Sequence, residues 1–216
     1  MDICRYFLCF ALFGFIGWAY ESVYYSIMQR RLVSSGFLNG CICPIYGIGG
    51  LVLSLMLGKI ENPLHLFFSG MIITCTLEYI VSALMERVFH ERWWDYSNWP
   101  LNINGRVCII GGVAFGTMSV LGVKYIIPAT FNAVIGLTDH MVHISAVIVA
   151  ILILFDIIVT VRNSDNFNDK LWYVREQSKI FEEGGVGYRI MHTLNPFSDD
   201  EYEASIIEKI KRRLHK

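Results

Sequence analysis

Residues 143–161 read HISAVIVAILILFDIIVTV, and the only charged side chain among them is Asp156. A bilayer-spanning helix needs roughly 20 mostly apolar residues, so this stretch is a membrane span carrying a carboxylate. Four more apolar stretches precede it, at 3–28, 43–57, 64–85 and 107–127. The stretch at 43–57 is short for a span unless 37–41 is also immersed. Residues 129–141 are apolar but too short to cross, and read as an interfacial or re-entrant piece. The expected fold is therefore all-α, a polytopic bundle of about five transmembrane helices.

The whole chain agrees. Its 216 residues are 54% hydrophobic and 17% charged, against about 25% charged in soluble domains, and mean hydropathy is +0.46. That apolar content excludes disorder. A net charge of -1 gives no nucleic-acid footprint, so no nucleic-acid partner is expected. Six cysteines in this length do not make a disulfide scaffold. No internal repeat, P-loop or nucleotide-binding fingerprint is evident, so any ATP must be bound by another chain. The first apolar stretch has only Arg5 as a basic n-region, no small-x-small site, and Glu21 near its end, and is expected to remain as a helix.

Lys and Arg placement sets an orientation. Arg30 and Arg31 follow the first stretch, Arg87, Arg92 and Arg106 lie between the third and fourth, and most of the rest follow the fifth. The opposite side holds only Arg5, Lys59 and Lys124. The N-terminus is expected outside and the C-terminus in the cytoplasm. The chain divides into a bundle, 1–162, with a polar site on its cytoplasmic side, and a polar cytoplasmic tail, 163–216. In the tail, Ser198-Asp199-Asp200-Glu201 reads as a capping box, and Ile206, Ile207, Ile210 and Leu214 form an apolar stripe.

Ionisable groups inside spans are costly and are functional candidates by default. Glu21, Glu78, Glu86 and Asp156 qualify, and under the expected topology all lie toward the cytoplasm. Glu78, Ser82 and Glu86 share a helix face at a spacing of four. Glu78 and Glu86 stand about 12 Å apart along it. Trp18 lies on the same side of the first helix as Glu21. Pro44 and Tyr46 open the second helix, and Arg106 opens the fourth as a counter-ion for Glu78 or Glu86. Arg92, Trp93, Trp94, Asp95, Tyr96 and Asn104 form a loop rich in donors, acceptors and aromatic faces. That loop serves as an interfacial anchor or as a lid over one pocket. Cys41 and Cys43 are too close for a paired metal or redox motif and read as free thiols. Asp139, His140 and His143 are a weak zinc candidate. No resident metal and no cofactor are expected.

Several of these stretches fall in one order. They are Gly17-Trp18-x-x-Glu21, Gly36-Phe37-Leu38-x-Gly40 leading to Pro44-Ile45-Tyr46-Gly47, Glu78-Tyr79-x-x-Ser82-x-x-x-Glu86, Arg92-Trp93-Trp94-Asp95-Tyr96-Ser97, and Gly105-Arg106-x-Cys108. Together, over 15–116, they resemble the ABC-transporter type IV family of bacterial integral membrane proteins. The resemblance implies a permease-like transport component whose partners are membrane lipid and a separate nucleotide-binding ATPase subunit. Cys41 departs from the family's Gly-Pro-x-Cys-Pro pattern, which loosens the start of the second helix. From the residues alone, two other readings stand beside transport. One is a membrane-embedded enzyme or binder acting on lipid headgroups, with Glu78 or Glu86 as general base. The other is a structural or regulatory protein whose charges lock the helices together.

Overall fold

The computed structural model describes residues 2–30, 32–89, 92 and 94–162. The expected capping box and apolar stripe of the tail, and Trp93, lie outside them. The described chain is helical: α1 (Ile3–Gln29), α2 (Pro44–Leu57), α3 (Pro63–Phe89), α4 (Ile109–Leu121), a π-helical turn (Gly122–Ile126), α5 (Ile127–Ile135) and α6 (Asp139–Arg162). The only isolated β-bridge among the described residues pairs Ile103 with Val107. Four helical segments are long and apolar enough to cross a membrane: Ile3–Ile27, Pro63–Val88, Ile109–Ile135 and Asp139–Val161. Exposed Ile148, Ile151, Leu152 and Phe155 on α6 present the apolar surface that lipid requires.

Local chemistry sets the helix ends. Asp2 caps α1, its carboxylate accepting from the Arg5 N–H at 2.9 Å. Asn62 does the same for α3, accepting from Leu64 N–H at 2.9 Å, with Pro63 at the first helical position where its missing N–H costs nothing. The C-cap of α1 is Arg30, in the left-handed region at φ 51°.

α2 is the exception among the helices. Its 14 residues span about 21 Å, less than the roughly 30 Å of a hydrocarbon core. It begins partway along α1, where the Cys43 N–H donates to the Gly14 carbonyl at 3.0 Å. The connecting segment turns back into the bundle to reach that point, burying Val33, Leu38 and Cys43. Ser22 and Ser26 on α1 hold it there, accepting from the N–H groups of Ser35 (3.0 Å) and Val33 (2.9 Å). Within 37–41 Leu38 is buried, while Asn39 and Cys41 are exposed. α4 starts in the same way. Gly112, in its first turn, lies against Met71 and Cys75, near the middle of α3.

Lipid supplies no hydrophobic force between helices, so close packing of small residues must hold them together. α1 and α2 interlock reciprocally: the Tyr46 ring fills the hollow at Gly17, and Phe10 and Phe13 fill those at Gly47 and Gly50. α3 and α4 repeat the device with Phe67 at Gly116 and Ser119 at Gly70. An apolar core of Leu8, Cys9, Phe13, Leu53, Leu57, Leu66, Val123, Ile127, Val134 and Val142 closes the far end.

Residues 129–141 are not a separate interfacial or re-entrant piece. They complete the fourth span through Ile135 and then supply the first turn of α6. The chain stays helical through Pro128 because the π-helical turn from Gly122 widens the helix just before it. That turn displaces the carbonyl that the proline ring would strike and needs no N–H from it. The resulting rod packs against α3, then α2, then α1 in turn.

Candidate functional site

The polar residues gather where α1 and α3 end and α2 and α4 begin. They form three partnerships, where the sequence suggested one pocket around Glu21, Glu78 and Arg106.

The first centres on Glu21. Its carboxylate accepts from Ser35 Oγ at 2.7 Å and Tyr46 OH at 2.9 Å, with Cys43 Sγ at 3.8 Å. Tyr46 reaches it because Gly17 lets α2 approach α1, and Pro44 opens α2 two residues earlier. Trp18 faces elsewhere, donating from its indole N–H to Ser34 Oγ at 3.2 Å and packing on Phe15.

The second is Glu78, 7% exposed, which accepts from Tyr96 OH at 3.3 Å. Burial first, and the Glu78 carboxylate second, push the Tyr96 phenol well above its usual pKa and keep it a donor. Tyr25 lies one turn beyond Glu21 on the same face of α1, its ring edge-on to Tyr24.

The third is an ion-pair group. Glu86 takes Arg92 Nε at 2.9 Å and Arg106 Nη2, while Arg106 Nη1 donates to Ser82 Oγ at 3.2 Å. The Tyr79 ring lies 5.5 Å from the Arg106 guanidinium. Arg106 is therefore the counter-ion of Glu86 and not of Glu78. Its planar fork spans two neighbours one turn apart on α3.

The loop after α3 builds this arrangement. Asn104 and Gly105 both have positive φ (52° and 67°), the geometry of a tight Asn-Gly hairpin turn, and Arg106 N–H closes it on the Ile103 carbonyl at 3.0 Å. Asn104 donates to Tyr79 OH at 2.8 Å, and its carbonyl accepts from Arg92 at 3.1 Å. Trp94 donates to the Arg106 carbonyl at 2.9 Å. Asp95 holds Ser97 through its N–H at 3.0 Å and its hydroxyl. Arg106→Gln is expected to lower Tm by about 5 °C, and Arg106→Lys to restore less than half, because an ammonium cannot bridge Ser82 and Glu86. Thermal melting in detergent checks this; full recovery with Lys would refute the fork.

Asp156 pairs within the bundle and joins none of these groups. It accepts from the N–H groups of Asn39 (3.1 Å) and Gly40 (2.8 Å), while Asn39 Nδ2 donates to Thr160 at 2.8 Å. The weak zinc candidate does not form. Asp139 is taken by Arg5 at 2.7 Å, His143 Nδ1 contacts its own helix at the Asp139 carbonyl, and no metal-binding group of His, Cys, Asp or Glu occurs among the described residues. All six cysteines are free.

Sequence reading missed Ser22, Ser26 and Ser35, which position the inward-turned segment, and Tyr25. The spacing of four from Ser22 to Ser26 was the available signal, since small hydroxyls on one face of an apolar helix need acceptors or donors.

A family model, Putative ABC-transporter type IV, matches residues 8–161. No curated protein matches the chain, and no solved structure does.

Proposed function

The chain belongs to the ABC-transporter type IV family, and on that premise we propose that it is a permease-like component of a transport system in the bacterial plasma membrane. It works with a separate nucleotide-binding ATPase and presents its carboxylate and arginine site to the cytoplasm, with the C-terminus on the same side. The membrane unit is 1–162 and the tail 163–216. One observation carries the reading. Glu21 and Glu78 sit within apolar helices, hydrogen-bonded to hydroxyls, with no cationic partner among the described residues. Carboxylates kept in that state inside a membrane characteristically line ion or substrate paths. Helices that start partway through the bundle beside such groups are the usual construction of transporter sites.

The lipid-headgroup reading is less well supported. Trp94 and Tyr96, the side chains that would meet a headgroup, spend their donors on Arg106 and Glu78. A purely structural role fits Glu86, Arg92 and Arg106 but leaves Glu21 and Glu78 unexplained.

The test is affinity purification of the full chain from its native membrane, with solute uptake and export measured in a deletion strain. An ATPase subunit is expected to copurify, and Glu78→Gln is expected to abolish transport while that subunit stays bound. Isolation of the chain alone, with no transport defect on deletion, would overturn the proposal. A reporter fused after Lys216 that is active only outside the cell would overturn the orientation.

A further inference from the structure

The chain carries one pattern twice, contrary to the expectation of no internal repeat. Residues 21–30 read ESVYYSIMQR and residues 78–87 read EYIVSALMER. Glu, Met and Arg recur at one spacing, with Val and Ile, Ser and Ala, Ile and Leu, and Gln and Glu exchanged between them. Residues 39–47 read NGCICPIYG and residues 104–112 read NGRVCIIGG. Here Asn, Gly, Cys, Ile and Gly recur.

The structure repeats what the sequence repeats. Val23 and Ile80 are both exposed, as are Ile27 and Leu84. Cys43 and Cys108 are both buried and both stand at the N-cap position of the helix that follows, though only the Cys108 side chain accepts from that helix. Gly47 and Gly112 are both buried contact points for the preceding helix. Each copy is a long helix, an inward-turned segment, and a helix that starts beside the middle of the first.

The differences are instructive. The spacer between the matching runs is 31–38 in the first copy and 88–103 in the second, which is twice as long. Tyr46 of the first copy, the hydroxyl partner of Glu21, corresponds to Gly111, which has no side chain to offer Glu78. Tyr96, from the longer spacer, supplies that hydroxyl instead. Both copies thus hold a carboxylate against a phenol, although the tyrosine comes from different places in the two. The Asn-Gly step has diverged as well: it turns the chain at Asn104-Gly105 but binds Asp156 through its N–H groups at Asn39-Gly40.

We infer that the membrane unit is an internal duplication, its two hairpins related by a half-turn about an axis along the bundle, and that Glu21 and Glu78 are one functional position present twice. Both long helices run in the same sense, so the copies are parallel repeats, which place their shared site at the interface between halves. The functional half of this inference rests on the transport reading; the geometric half does not.

Pulsed EPR on the full chain in lipid nanodiscs tests the geometry. One sample carries spin labels at Val23 and Val113, the other at Ile80 and Ile48, all exposed positions that exchange under the half-turn. The two mean distances are expected to coincide. A difference larger than about 10 Å, one helix diameter, overturns the duplication axis. Transport assays test the function. Glu21→Gln and Glu78→Gln should each reduce transport by about tenfold or more, the scale of losing a hydrogen bond to a charged group, and by similar factors. One silent substitution overturns the equivalence. Should a Gln variant not fold, Tyr46→Phe and Tyr96→Phe, which remove only the partner hydroxyls, carry the same comparison. Matching distances with no ATPase partner and no transport at all would remove the transport reading and leave the duplication standing.

Discussion

Gly17→Val is expected to destroy the α1–α2 hairpin. A Cβ at position 17 would lie inside the Tyr46 ring, and two further methyls have nowhere to go. Overpacking a well-filled contact costs about 1–3 kcal/mol, and this case belongs at or beyond the upper end. The reason is specific to membranes. Helices there gain no hydrophobic attraction from lipid and rely on close packing and interhelical hydrogen bonds, so a forced separation removes attraction as well as adding strain. The change also withdraws Tyr46 from Glu21, leaving that carboxylate with Ser35 and the Cys43 thiol. Thermal melting in detergent should show a loss large enough to prevent recovery of folded protein. Gly122→Ala is the control, because nothing lies within 4 Å of a Cβ built there. Its Tm should be unchanged or slightly raised. Equal losses at the two positions would show that glycine flexibility, and not helix approach, is what matters.

Arg5→Met should unfasten the opposite end of the bundle. The Arg5 guanidinium donates to the carbonyls of Val134 (2.9 Å), Ile135 (3.4 Å) and Leu137 (3.3 Å), and to Asp139 at 2.7 Å. A helix end leaves carbonyls short of partners, and Arg5 adds a charged donor to those of Val134, Ile135 and Leu137 where α5 stops. Its side chain is 14% exposed, so water cannot readily replace it. The expected loss is about 2 kcal/mol, that of hydrogen bonds to a charged donor. Hydrogen exchange should accelerate at 134–139 well before it does in α3. Asp139→Asn should be mild by comparison, since Asp139 is 80% exposed and a solvated ion pair contributes little. If Asp139→Asn is as damaging as Arg5→Met, the salt bridge and not the carbonyl capping holds this end.

The spans were legible because apolar length is a one-dimensional property. Each stretch named from sequence became a helix, with boundaries moved by a few residues at most ends. The exception was 129–141, which looked too short to cross by itself, whereas the π-helical turn and α5 carry the fourth span on through Ile135. The candidate site was legible as a set of residue types, since carboxylates and arginine inside apolar runs stand out on composition alone. Their pairing was not. Ser82 and Glu86 share a face of α3 with Glu78, so helical spacing gives Arg106 no means of choosing between the two carboxylates. The choice is made by where the Asn104-Gly105 turn sets the Arg106 backbone, and that turn depends on contacts with Tyr79 and Arg92.

By itself the sequence determined a polytopic helical membrane protein with polar groups toward one end, because insertion into lipid reads hydrophobic length and charge along the chain. The tertiary structure alone decided that Glu86 takes both Arg92 and Arg106, that Asp156 clamps the Asn39–Gly40 backbone, and that among the described residues Glu21 and Glu78 are met by hydroxyl and thiol groups and no cation. Those outcomes depend on how closely glycine faces let two helices approach and on where the inward-turned segments stop. Both are distances across the bundle between residues far apart in the chain, which no local spacing encodes.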